Sequence, residues 1–200
     1  MTYSNELKVC WYTPQRTATR TTHVLLEALG FTGLGSHTFH FPPERSDYFL
    51  ISNVRNPYPR MVSLFSLYSI HKKEYSFDFA KWCEYALTDE KFDEEYQLRY
   101  ERKIFSLHRK FDKFIRVESF SEDLKSLSFI DTNNPKIQQI WKNNILNNGY
   151  TYEFKNIENA NRTHWSDFYT VRLSDLVYKN LKEQFDLFGY EKNSWKNGTP

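Results

Sequence analysis

Glycine is scarce in this chain: six in 200 residues, at positions 30, 33, 35, 149, 189 and 198. None completes a Gly-x-x-x-x-Gly-Lys-Ser/Thr run, and no Gly-x-Gly-x-x-Gly opens a helix. The first absence excludes a Walker-type nucleoside triphosphatase, and the second weakens a dinucleotide dehydrogenase reading. Cysteine is scarcer still. Cys10 and Cys83 are too few for a disulfide framework and have no metal-ligand spacing, so a reducing, cytoplasmic setting is expected. Cys10 falls in an apolar run and reads as a small buried strand residue. No apolar stretch approaches the roughly 18 to 20 residues needed to span a bilayer, and the N-terminus lacks a basic region followed by an apolar core. Excess charge is missing too: 27 basic against 25 acidic residues leave a net +2, so no global field advertises a nucleic acid as partner.

What the chain does have is a core. With 40% hydrophobic and 18% aromatic content, residues 1–200 suit one compact domain. Apolar runs predict strands at about Lys8 to Tyr12 and Tyr48 to Val54, with a short strand near Ser36 to Phe41. Alternation predicts another at Lys113 to Glu118, where Glu118 reads as a structural carboxylate that orders the loops. Helical spacing predicts helices from Thr21 or Thr22 to Leu29, with Val24, Leu25, Ala28 and Leu29 on the buried face and Gly30 as the stop. Others are expected from about Pro59 to Ile70, over Phe77 to Leu87 and Glu94 to Lys103, from Ser119, and near Pro135 to Leu146. Leu173, Leu176, Val177, Leu181, Phe185 and Phe188 predict a long amphipathic helix before Gly189.

Two strand-to-helix turns concentrate basic and hydroxyl residues. The first is Pro14-Gln15-Arg16-Thr17-Ala18-Thr19-Arg20-Thr21-Thr22, after the run Val9 to Tyr12. The second is Arg55-Asn56-Pro57-Tyr58-Pro59-Arg60-Met61-Val62-Ser63, after Tyr48 to Val54. Arginine at the carboxyl edge of a strand stands where open α/β sheets bind their ligands, and Ser63 can offer a hydroxyl to the same anion. Free N–H groups at a helix start, with the helix dipole, favour anions. Two such turns suggest one ligand with two anionic ends.

The pair, in this order, resembles the sulfotransferases, which move a sulfuryl group from 3'-phosphoadenosine-5'-phosphosulfate (PAPS) to an acceptor. In that family a loop reading roughly Lys-Thr-Gly-Thr-Thr wraps the 5'-phosphosulfate, and a later Arg followed eight residues on by Ser holds the 3'-phosphate. Arg16-Thr17-Ala18-Thr19-Arg20 and the pair Arg55 and Ser63 fill those places. Val54-Arg55-Asn56-Pro57-Tyr58, with Arg60 and Ser63, looks especially like the carbohydrate and bacterial branches. The strand ending in Glu118 and the terminal helix extend the likeness, whereas Ile70 to Phe111 shows none. Two positions depart from the pattern. Arg16 replaces lysine, a planar fork for a point charge. Ala18 replaces glycine, a change that is tolerable if the loop keeps φ negative there, since only a positive φ demands glycine.

The resemblance implies a single α/β domain with a central parallel sheet flanked by helices, in the P-loop-kinase-like sulfotransferase fold. It implies PAPS as donor, PAP as product, no metal, and a hydroxyl-bearing small molecule or carbohydrate as acceptor. Arg16 would stabilise the leaving oxygen, with Thr17, Ala18, Thr19, Arg20 and Thr21 around the 5'-phosphosulfate, and Arg55 and Ser63 on the 3'-phosphate. Arg60 would brace the helix or loop. Transfer to a hydroxyl also needs a base. In Ser36-His37-Thr38-Phe39-His40-Phe41, between the two turns, His37 is the first choice and His40 the second, with Glu44 as a carboxylate alternative. His23, His71, His108 and His164 read as structural. A nucleotide-dependent phosphotransferase and an inactive nucleotide- or glycan-binding module of the same fold remain as alternatives.

Overall fold

A computed structural model describes residues 1–33, 43–71, 78–88, 111–146 and 164–196. The predicted strand at Ser36 to Phe41 and the helix at Glu94 to Lys103 lie outside the described residues. The chain forms two compact units, one from Met1–Arg55 and Arg109–Thr151, the other from Asn56–His108 and Tyr152–Pro200.

The first unit is built on a four-stranded mixed sheet in the order β1 (Thr2–Ser4), β2 (Val9–Tyr12), β3 (Phe49–Val54) and β4 (Lys113–Arg116). β2, β3 and β4 run parallel, and β1 pairs antiparallel with β2. The parallel sheet expected from the sequence is thus a three-stranded portion with an antiparallel edge. That edge went unread because three residues are too few to display a period of two. On its outer side Tyr3 exchanges both backbone hydrogen bonds with Thr32, at 3.0 and 2.8 Å.

Helix α1 (Thr19–Ala28) follows β2. It starts before Thr21, and its buried face is Thr21, Thr22, Leu25 and Leu26, so Val24 and Ala28 are only half-buried. Gly30, at φ 75°, follows its end in the left-handed form that glycine adopts without strain. Val9 and Trp11 of β2, Ile51 of β3 and Ile115 of β4 pack in one cluster with Leu25 and Leu26. Helices α4 (Phe120–Lys125) and α5 (Pro135–Ile140), with a π-helical stretch at Trp141–Leu146, complete this core. Asp123 ties β4 to α4: its Oδ2 accepts from Arg116 N at 2.7 Å and from Ser119 Oγ at 3.1 Å.

The second unit contains α2 (Pro57–His71), α3 (Phe79–Thr88), a 3-10 turn at Trp165–Phe168 and α6 (Val171–Phe188). Asn56 begins α2. Its Oδ1 accepts from Tyr58 N at 3.1 Å, and Pro57, which has no N–H to satisfy, fills the first helical position. The helix therefore starts at Pro57 rather than Pro59. Phe65, Phe79, Trp82, Trp165 and Phe185 lie in one aromatic core. The long terminal helix is present as predicted, closed by Gly189 at φ 73°. It bends at Leu181, next to Asn180, whose Nδ2 donates to the Leu176 carbonyl at 2.9 Å.

Candidate anion-binding loop

The parallel pairing of β2 and β3 sets Tyr12 opposite Ser52. Both strands therefore end at the same edge, and the Arg16–Ala18 loop and Arg55 leave from adjacent strands. Arg55 Nη1 donates to the Arg16 carbonyl at 3.2 Å. Arg55 is 8% exposed, while Arg16 and Arg20 are exposed.

The loop backbone is unusual. Arg16 and Ala18 have φ of 62° and 59°, and Thr17 between them is not in the positive region. Ala18 was acceptable on the sequence only if φ stayed negative, and that condition fails: its φ 59°, ψ 28° is left-handed, where a Cβ costs about 1–2 kcal/mol. Alternation of φ sign along a turn builds backbone nests, in which successive N–H groups converge on an anion. Ala18 supplies no side-chain cap to α1. The hydroxyls of Thr17 and Thr19 donate to the Pro14 carbonyl at 2.6 and 2.9 Å, which closes the loop on itself. Main-chain N–H groups, more than hydroxyls, are therefore what this loop can present to an anion.

Beneath the loop lies a residue the sequence reading passed over. Asn53 is fully buried on β3. Its Nδ2 donates to the Thr17 carbonyl at 2.6 Å and to Thr22 Oγ1 at 2.7 Å, and its Oδ1 accepts from Trp11 Nε1 at 2.8 Å. The available signal was an asparagine inside an apolar run buried on both faces, where an amide must find partners. Thr13 and His23 share a hydrogen bond of 3.1 Å at the start of the same loop.

Ser63 and Arg60 lie on α2 in the second unit, 2% and 5% exposed. Glu44 is at the surface, paired with Arg45 at 3.2 Å. His37 and His40 lie outside the described residues. Among the described residues no three His, Cys, Asp or Glu side chains gather to hold a metal ion, and no helix is long and apolar enough to cross a membrane.

Fold and loop together define an α/β unit with a strand-to-helix turn suited to an anionic ligand. No family model matches the chain, and comparison with curated proteins and with solved structures gave no match.

Proposed function

We propose that this protein is a PAPS-dependent sulfotransferase acting on a hydroxyl of a small molecule or carbohydrate. The observation that carries this reading is the nest-like Arg16–Ala18 loop at the end of β2, joined through the Arg16 carbonyl to Arg55 at the end of β3. A loop that opens a helix suits the 5'-phosphosulfate. Arg55, at the end of the adjacent strand, is assigned to the 3'-phosphate.

The chemistry asked of these groups is limited. The acceptor oxygen attacks sulfur in line, an S–O bond forms, and the bond from sulfur to the bridging phosphate oxygen breaks. The acceptor proton passes to a base, for which His37 or His40 is proposed. Arg16 and the loop N–H groups offset charge on the departing phosphate. Arginine can perform this role because its fork carries a permanent charge and binds oxyanions bidentately.

Calorimetric titration with 3'-phosphoadenosine-5'-phosphate (PAP) in chelator, beside ATP and 5'-AMP, tests the reading. Metal-independent preference for PAP is expected. Binding of ATP alone, and only with magnesium, would replace this reading with a phosphotransferase. PAP binding without sulfuryl transfer to any hydroxyl acceptor would leave an inactive nucleotide-binding module.

A further inference from the structure

We propose that Asn53 is the positioning residue of the anion loop, holding the Ala18 backbone in a left-handed form that alanine would otherwise leave. The side-chain amide has only one possible orientation. Trp11 Nε1 can only donate and the Thr17 carbonyl can only accept, so Oδ1 faces the indole and Nδ2 faces the loop. Both amide donors are engaged, the second by Thr22 Oγ1. The Thr22 hydroxyl passes the constraint on by donating to the Ala18 carbonyl at 3.0 Å.

These contacts fall on the two peptide planes that flank the Ala18 Cα. The Thr17 carbonyl belongs to the plane that sets φ, and the Ala18 carbonyl to the plane that sets ψ. Asn53 fixes the first directly and the second through Thr22. In a trans peptide the N–H points opposite to the C=O, so turning the Thr17 carbonyl inward to Asn53 turns the Ala18 N–H outward. The N–H groups of Ala18 and Thr19 donate to no acceptor among the described residues. A buried amide on β3 thus does for alanine what glycine does by itself at a left-handed position.

The effect on binding rests on the sulfotransferase reading, whereas the effect on the loop does not, and two measurements separate them. The variants are Asn53→Ala and Asn53→Asp, each alone and combined with Ala18→Gly. Asn53→Asp keeps an acceptor for Trp11 and the native shape, so it serves if Asn53→Ala does not fold. Hydrogen exchange of the Thr22 amide, which donates to the Ala18 carbonyl at 2.9 Å, reports the loop without a ligand. It is expected to speed up at least ~10-fold in either single variant. PAP affinity should fall by ~10-fold or more, and Ala18→Gly should recover much of both losses, since glycine holds this φ unaided. Native exchange rates in the Asn53 variants would overturn the proposal. So would losses that Ala18→Gly does not reduce, because Asn53 would then act on packing and not on the Ala18 backbone. If the native protein binds no PAP, the sulfotransferase reading fails, and the exchange measurement still decides the role of Asn53.

Discussion

Arg55 Nη1 donates to the main-chain carbonyl of Arg16, 39 residues away in sequence, at 3.2 Å. The two basic turns are therefore joined through a backbone acceptor, which no pattern of side chains reveals. A guanidinium carries five N–H donors in a fixed plane, so an arginine that braces a loop can also take a phosphate.

Removing that side chain should harm both ends of a doubly anionic nucleotide, but unequally. Arg55→Ala is expected to weaken PAP by about 10- to 100-fold, the worth of a charge-assisted hydrogen bond of about 1.5–3 kcal/mol. The same change should cost 5'-AMP only the few-fold that comes from a loosened loop. Parallel titrations check this, and equal losses for both nucleotides would confine Arg55 to bracing.

Ala18→Gly should stabilise the protein by about 1 kcal/mol, because the left-handed φ of 59° penalises a Cβ and not a hydrogen. For a chain of this size that is about 2–4 °C in Tm. Denaturant titration gives the free energy directly, and a lower midpoint in the variant would count against the strain.

Gln184 offers a stabilising change in the other unit. It is 2% exposed on α6, and its Nε2 has no hydrogen-bond acceptor among the described residues. Gln184→Met keeps a similar volume and removes the orphaned donor, so a gain of about 1 kcal/mol is expected in thermal or chemical unfolding.

Alkaline pH should unfold this protein more readily than neutral pH. Burial, then the nearby Glu84 and Asp78 charges, pushes the Cys83 thiol well above its ordinary 9.0. Burial, then Asp175 and Tyr178, raises the Tyr58 hydroxyl. Between the unfolded and folded pKa values the folded state holds more protons, so stability is full below pH 9 and falls as pH rises. Each group contributes a slope of up to about 1.4 kcal/mol per pH unit. Cys83→Ala should flatten the decline that begins near pH 9, even though its absolute stability is lower. An unchanged slope would show that Cys83 is not its source.

Tyr58 also anchors chain that follows α6. Its hydroxyl donates to the Lys192 carbonyl at 2.6 Å, and its own carbonyl accepts from Tyr169 Oη at 2.8 Å. Tyr58→Phe removes this hydrogen bond and should cost about 0.5–1.5 kcal/mol, read as a lower denaturant midpoint.

Periodicity served the sequence reading where elements are long or strongly patterned. The α6 stripe from Leu173 to Phe188 and the apolar run of β3 declare themselves, because each must bury a face. β1 does not, since three residues borrow their strand character from pairing with β2. The loop was legible as basic and hydroxyl-rich, but not in its backbone: the Thr17 carbonyl beside Ala18 is held by Asn53, and that bond spans 36 residues. Asn56 stands inside the basic motif, and its role as the cap of α2 shows only in its bond to Tyr58.

The order in which the chain enters its two units bears on its birth as well as its final form. The unit carrying the loop is complete once Thr151 has been synthesised, while the other waits for Tyr152–Pro200. Phe65, Phe79 and Trp82 are made early, yet Trp165 and Phe185 of the same core follow only after Thr151. On the ribosome the aromatic surface must therefore stand bare until α6 is translated, an invitation to chaperones and to aggregation. A premature stop before α6 would leave a nascent protein whose Arg16–Ala18 loop is formed but whose aromatic core is never covered.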